Sequence, residues 1–373
     1  MRLALRLARK GAGDTSPNPL VGAVLVKGSQ VIGRGWHRRA GEPHAEIEAL
    51  QDSANKGHSP AGATLYVTLE PCSTHGRTGP CTEAIIRAGI SRVIVGATDP
   101  NPKHKGEGFK QLRDAGIRVE AGLLAKKCED LNEAFNHWIV HLTPLVTVKA
   151  AMTLDGKIAT ASGESKWITG PAARLAGMKL RRAADAILVG INTILADDPS
   201  LTFRDAVAAK LVPLRRIILD SLARTPLDAR VVSDENARLT TIVVSRAAPK
   251  PRVKALARRV TVLVAPLRMK QKSADSGAVR ELDLRWVLKR LGAAQVTSLV
   301  VEGGGEVNAS FLMDGLAHRI AFFYAPKVLG GRAARKAVAG EGATCWKETL
   351  RLQDVRWKQL GEDLFLSAKV LAF

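Results

Sequence analysis

Three short stretches carry side chains that bind metal or move protons: His44-Ala45-Glu46, Pro71-Cys72 and Pro80-Cys81. One imidazole and two thiols suit Zn²⁺, and three protein ligands leave the fourth tetrahedral position for water. A metal so held lowers the pKa of that water toward ~7, so hydroxide is available at neutral pH. Cys81 opens a predicted helix, and a helix N-terminus favours the thiolate form that binds metal. Glu46 sits two residues from the imidazole and reads as a proton carrier rather than a ligand. His75 is left out of the ligand set, because a fourth protein ligand would close the site to water. A lone H-x-E triplet arises by chance. Two cysteines with eight residues between them, each after proline and both downstream of the triplet, form a far rarer set.

Alternating strands and helices must position these groups. Residues 2–12 pattern as a short amphipathic helix. Residues 21–36 read as two strands around a Lys27–Gln30 turn. A helix over 43–55 follows Pro43, which suits a first turn. Strand 63–69 leads to the first cysteine, and the helix Cys81–Ala88 stops at Gly89. Strand 92–97, a helix at 106–115, a strand near 117–123 and a connecting helix over 126–141 complete the unit. After Thr143-Pro144 the pattern restarts. Strands are expected at 145–151, 157–161, 186–190, 216–220, 240–245, 259–265 and 297–302. Helices are expected at 171–184, 283–292 and 306–314, and a closing strand pair at 350–373. Both halves therefore read as α/β with separate cores.

Composition narrows the function classes. A length of 373 residues predicts two or three domains at ~100–200 residues each, and 46% hydrophobic residues exclude wholesale disorder. The longest apolar runs, such as Ala186–Ile191, fall short of the ~20 residues of a spanning helix. Residues 1–10 lack the apolar stretch of a signal peptide. Four cysteines make no disulfide framework in so long a chain, so a reducing compartment, the cytoplasm, is expected. The net charge is +21, of which residues 146–373 carry +16 and residues 214–285 alone +9. That stretch has no RNA-binding signature and offers no aromatic platform for bases. It reads as a solvated basic surface, as a field that steers anionic substrates, or as a surface for weak nucleic-acid contact.

The segments SPNPLVGAVLV at 16–26, HAE at 44–46 and TLEPCSTHGRTGPC at 68–81 resemble the deaminase domain of the bifunctional riboflavin-biosynthesis enzymes. That family is similar to cytidine deaminases in fold but carries a longer insert between its cysteines than the usual P-C-x-x-C. The resemblance implies zinc on His44, Cys72 and Cys81, with Glu46 as the catalytic proton shuttle. It implies that Asn18 touches the sugar of the substrate, although a residue between two prolines also suits a plain turn.

VKAAMTLDGKIA, SGESKWIT and ILADDPSLTFR within 146–204, then VVEGGG at 300–305 and APKVLGG at 325–331, resemble the reductase half of the same family, a fold similar to dihydrofolate reductase. The resemblance implies NADPH contacts from Ala151, Trp167, Thr193, Asp197, Ser221, Gly303, Gly304 and Gly305. It implies substrate contacts from Ser165, Arg181, Leu201, Arg204 and Glu302, and places Lys149 and Asp155 near the hydride-transfer centre. The residues alone leave alternatives open. A strand running into three glycines and a helix can cradle phosphate or be a packing turn. Arg181 and Arg204 can pair with phosphate oxygens or lie on the surface.

The expected architecture is therefore α/β: a cytidine-deaminase-like α/β/α domain with a mixed sheet over residues 1–143, and a dihydrofolate-reductase-like α/β domain over 144–373. The expected chemistry is zinc-dependent hydrolytic deamination of 2,5-diamino-6-(5-phosphoribosylamino)pyrimidin-4(3H)-one. NADPH-dependent reduction of its ribosyl side chain to ribityl follows. The expected partner is this phosphoribosylaminopyrimidine, with no membrane and no nucleic acid, and homo-oligomers are common among related folds. One rival is a nucleoside or tRNA deaminase with a basic nucleic-acid-binding C-terminal half. Its zinc triad would be the same, but the cysteine spacing and the SGESKWIT and ADDPSLTFR segments oppose it. A second rival, a purely structural zinc site, would normally have four protein ligands.

Overall fold

The computed structural model describes residues 1–74, 79–102, 104–203, 212–271 and 278–371. The chain divides into two compact units, Met1–Leu142 and Thr143–Phe373, a division one residue before the expected boundary.

The first unit runs α1 (Arg2–Ala8), β1 (Gly22–Lys27), β2 (Gln30–Trp36), α2 (Ala45–Asn55), β3 (Thr64–Leu69), α3 (Cys81–Arg87), β4 (Arg92–Ala97), α4 (Glu107–Asp114), β5 (Arg118–Ala121), α5 (Ala125–Leu131) and α6 (Glu133–His141). Its sheet has the order β2-β1-β3-β4-β5. The β1 pairings are antiparallel, and β3-β4-β5 run parallel. On one face Leu25, Leu65, Val67, Val93 and Val95 pack against Ala45, Ala49, Ile85, Phe109 and Leu112 of the second, third and fourth helices. On the other, Leu5 of α1 and Cys128 of α5 pack with Leu69 and Ala97. The unit is thus a three-layer α/β/α sandwich around a mixed sheet.

The helix expected over 126–141 is broken at Asn132. Its backbone leaves the helical region there (φ −108°). Its side-chain amide instead accepts from Leu20 N (2.7 Å) and donates to Leu20 O (2.9 Å). The break pins the segment before β1.

The second unit runs β6 (Leu145–Thr153), β7 (Lys157–Ala159), α7 (Pro171–Ala183), β8 (Ala186–Gly190), α8 (Ile191–Asp197), β9 (Arg215–Leu219), α9 (Arg230–Ser233), β10 (Thr240–Ser245), α10 (Lys250–Ala257), β11 (Thr261–Ala265), β12 (Leu267–Gln271), β13 (Ala278–Leu282), α11 (Leu284–Ala293), β14 (Ser298–Val301), α12 (Gly304–Met313), β15 (Arg319–Ala325), β16 (Arg335–Lys336), β17 (Leu352–Leu360) and β18 (Asp363–Val370). Nine strands form one sheet in the order β11-β10-β9-β8-β14-β6-β15-β18-β17. The first seven are parallel and the last two pairings antiparallel. All five residues of β8 are buried, as expected of a strand covered on both faces. Ile191, Ile194, Val231 and Leu256 cover one face. Val287, Leu291, Phe311 and Leu312 cover the other.

Several elements of the second unit among the described residues escape the sequence pattern, and three of them bear on the fold. β15 lies in the middle of the sheet between β6 and β18, yet its run RIAFFYA had no assigned element. The turn read at 196–199 is the end of α8, where Asp198 takes a left-handed conformation (φ +38°). The third is α10, whose apolar side is small: Leu256 is its one buried residue.

Candidate active sites

In the first unit, β2 ends at Trp36 and a loop returns the chain to His44, the N-cap of α2. β3 delivers Cys72, and Pro80 caps α3 so that Cys81 is its first residue. These segments bring His44 Nδ1 to 3.3 Å from Cys81 Sγ and 3.5 Å from Cys72 Sγ. The ligand atoms of all three residues lie within 4.8 Å of one another. Zinc at bond lengths of about 2.0–2.3 Å in tetrahedral array needs donor separations of about 3.5–3.8 Å. The donor set fits zinc in type and in spacing. The backbone N–H of Cys81 donates to Cys72 Sγ at 3.3 Å. The Cys81 thiol, the His44 ring and this N–H pull the Cys72 thiol well below its ordinary value. The same shared bond and burial push Cys81 up.

Glu46 stands in the first turn of α2 and is 3% exposed. Burial first, then the charge at Cys72, raises its carboxyl to about 7. A group near neutrality can both take and return a proton.

No pattern in the sequence singles out His37, which is buried beside the cluster. Its ring stands edge-on to His44 with centroids 5.2 Å apart. His37 Nδ1 lies 3.1 Å from the Pro43 carbonyl, and Nε2 lies 3.0 Å from Asn18 Nδ2. A carbonyl only accepts, so Nδ1 carries the proton and Nε2 accepts from the Asn18 amide. Burial draws the His37 pKa down, which suits this neutral form. Asn18 closes a turn through its N–H to Thr15 O at 2.9 Å, and its side chain is oriented by His37.

In the second unit, Glu302 follows β14 and lies under two cations. Arg181 on α7 grips it with Nε to Oε1 at 2.8 Å and Nη2 to Oε2 at 3.0 Å. Lys149 on β6 reaches Oε2 at 3.3 Å. Burial pushes the Glu302 carboxyl up, but Lys149 and Arg181 outweigh it and hold it at about 2. The remaining Arg181 nitrogen, Nη1, donates to Thr202 O at 3.2 Å. Arg181 is therefore the partner of Glu302 and the anchor of the loop after α8, a linkage that sequence spacing did not reveal.

Asp155 is fully engaged as a bracket. It accepts from Thr153 Oγ1 (2.6 Å), Leu329 N (3.0 Å) and Gly330 N (2.8 Å). These donors hold its carboxyl at about 2. Lys327, missed by the sequence reading, donates to the carbonyls of Trp167 (3.1 Å) and Ile168 (2.9 Å). The indole of Trp167 is 69% exposed, and Arg174 lies 4.6 Å over its ring. Lys166 pairs with Asp197 at 3.7 Å, at the end of the helix that carries Thr193. Ala151 lies on β6, and Leu201 is buried with φ +50°. Ser221 offers its carbonyl to Ser245 N at 3.0 Å. Ser165 is half-buried in the loop before Trp167. Gly303 caps α12 and Gly304 has φ +78°. A Cβ on Gly305 would meet Lys336 O at 2.3 Å, so only glycine allows this close approach. Arg204 and His75 lie outside the described residues.

Residues 1–97 match the family described as "Cytidine and deoxycytidylate deaminase zinc-binding region", and residues 144–366 match "RibD C-terminal domain". The riboflavin biosynthesis protein RibD of Aquifex aeolicus is 42% identical over 369 residues, covering 99% of this chain and 97% of the relative. That of Escherichia coli is 40% identical over 343 residues, covering 89% and 88%. Among solved structures, Acinetobacter baumannii RibD superposes with a TM-score of 0.85 at 34% identity, covering 99% of this chain and 97% of that one. The Thermotoga maritima diaminohydroxyphosphoribosylaminopyrimidine deaminase/5-amino-6-(5-phosphoribosylamino)uracil reductase gives 0.82 at 33%, covering 100% and 97%. With both halves matched in order and near-complete coverage, the chain belongs to the RibD family of bifunctional riboflavin-biosynthesis enzymes, which join a zinc-dependent deaminase to an NADPH-dependent reductase.

Proposed function

We propose that the first unit removes the ring amine from the phosphoribosylaminopyrimidine and that the second reduces the ribosyl side chain of the product. The observation that carries this reading is the His44, Cys72 and Cys81 donor set with Glu46 buried beside it. Zinc held by these three residues supplies a water acidified toward pKa ~7. Glu46 would take a proton from the attacking water, pass it to the ring nitrogen next to the amine-bearing carbon, and then carry the proton of the newly added hydroxyl to the amine, which leaves as ammonia while the carbonyl forms. Asn18, oriented by His37, binds the sugar.

In the second unit, bound NADPH supplies hydride. The Gly303–Gly305 turn and the N-terminus of α12 receive a cofactor phosphate. Ala151, Trp167, Thr193, Asp197 and Ser221 complete the cofactor wall. Lys149 protonates or polarises the opening ribose, and Glu302, 3.3 Å from its ammonium, directs it. Ser165, Leu201 and Arg204 hold the ribosyl phosphate. Asp155 acts by fixing the turn after β6.

No helix among the described residues is long and apolar enough to cross a membrane. The free thiols suit the reducing cytoplasm. A homo-oligomer is part of this reading, because β17 forms a sheet edge with Val355 and Trp357 exposed along it. Nucleic acid is not part of it.

The test is a coupled assay on purified protein with the diaminopyrimidinone ribosyl phosphate, following ammonia and NADPH absorbance. Ammonia should appear without NADPH and vanish with a zinc chelator. Glu46→Gln should lower its rate by about a hundredfold to ten-thousandfold. NADPH should be consumed only after deamination. A folded, zinc-loaded protein that gives neither signal would overturn the reading.

A further inference from the structure

One buried carboxylate beside the metal cluster has no part in the chemistry above. Glu70 follows β3 directly, stands two residues before Cys72 and is 5% exposed. It accepts three backbone N–H groups from one distant segment, and among the described residues no side-chain cation hydrogen-bonds to it. Oε2 takes Asp99 N at 3.1 Å and Gly106 N at 3.2 Å, and Oε1 takes Gly108 N at 3.1 Å. Asp99 lies just past the end of β4, and Gly106 and Gly108 open α4. A carboxylate at a helix start both satisfies orphan donors and meets the positive end of the helix.

The joint is tight. A Cβ on Gly108 would stand 2.3 Å from the Pro71 carbonyl, so the segment approaches as closely as backbone allows. Further bonds sew the same segment to the loop between the cysteines. His104 Nδ1 lies 3.5 Å from Thr74 Oγ1. Gln111 donates to Ser73 O at 3.4 Å and accepts from Thr82 Oγ1 at 2.8 Å. The carboxyl ends of parallel strands are where α/β sheets take their ligands. Here the ends of β3 and β4 carry Cys72 and the Asp99–Asn101 turn.

We infer that Glu70 is a positioning residue of the deaminase centre, holding the Asp99–Asn101 turn and the start of α4 against the Cys72 loop so that they wall the substrate pocket. This rests on the first unit being a deaminase. Glu70→Gln keeps the shape but sets an NH₂ group against backbone donors, breaking the joint at one of its two oxygens. Hydrogen exchange at Asp99, Gly106 and Gly108 should then speed up by about tenfold or more, while zinc content stays at that of the wild type. KM for the pyrimidine substrate should rise by about tenfold with kcat far less altered. Glu70→Asp, which keeps the charge on a shorter stem, should fall between the two. Reductase turnover of the deaminated substrate checks that the rest of the chain is folded. Unchanged exchange and KM in Glu70→Gln would overturn the inference. So would loss of zinc, which would make Glu70 a support of the ligands themselves. A wild-type protein that releases no ammonia would instead remove the deaminase reading, while exchange would still report on the joint.

Discussion

At the scale of the residue, the difference between what a side chain is and what it touches decides its role. Asn18 between two prolines reads as a turn, yet His37 engages its amide at 3.0 Å. His37 itself is set by the Pro43 carbonyl and the edge of His44, contacts that no local pattern encodes. The ligands and Glu46 were legible because their spacing is short and their types are chemically rare in combination. His37→Phe should keep a ring beside His44 but remove both hydrogen bonds. Steady-state kinetics should show KM for deamination raised by about tenfold, with zinc retained, if Asn18 binds substrate only when so held. Glu302 gives a second case. Its folded-state pKa of about 2 lies below the ordinary 4.5, so its ion pairs add stability that is full above about pH 4.5. That stability is lost as pH falls toward 2. Unfolding of the wild type and Glu302→Gln should differ by roughly 2–4 kcal/mol near neutrality. The gap should close progressively in acid titration below pH 4.5, and a gap constant with pH would contradict the pairing.

At the scale of the element, strands that carry obvious apolar runs were legible and elements defined by distant partners were not. Residues 186–190 (AILVG) and 240–245 (TTIVVS) coincide with strands in the structure because each is short and rich in apolar and β-branched residues. The sequence pattern assigns no element to β15 although it is as apolar, because its place between β6 and β18 depends on pairings far away in sequence. The break at Asn132 likewise depends on Leu20. β9 shows the opposite problem, a charge where a strand should be apolar. Arg216 is fully buried there, and its donors reach Thr240 Oγ1, Ser200 O, Val231 O and both oxygens of Asp234. It fastens the loop after α8, the loop on whose Thr202 carbonyl Arg181 rests. Removing one member of such a buried pair costs about 3–5 kcal/mol, since the remaining charge keeps its desolvation cost without its partner. Arg216→Met should therefore lower the temperature at which reductase turnover is lost and leave the thermal profile of ammonia release in place. Parallel loss of both activities would place the role of Arg216 elsewhere.

At the scale of the whole molecule, the restart of the α/β pattern after Thr143-Pro144 made two units legible, because each buries its own apolar set. Net charge was equally plain in the sequence, but its meaning was not, since a basic surface suits nucleic acid and phosphorylated metabolites alike. The distribution offers a way to separate them. Residues 1–145 carry +5 and residues 146–373 carry +16, while one anionic phosphate ester passes through both reactions. A field that steers this substrate acts on encounter, so it should appear in kcat/KM and fade as salt shortens the Debye length to about 10 Å at 0.1 M. Raising ionic strength from 0.02 to 0.2 M, a range of about one decade chosen to span that screening, should lower kcat/KM of reduction by severalfold. Deamination, in the less charged unit, should fall less, and kcat of both should hold. Added tRNA at low salt should leave both rates unaltered if the charge serves the small substrate. Salt-insensitive kcat/KM in the two reactions would reduce the +21 to a solvated surface, and inhibition by tRNA would give the basic half a second ligand.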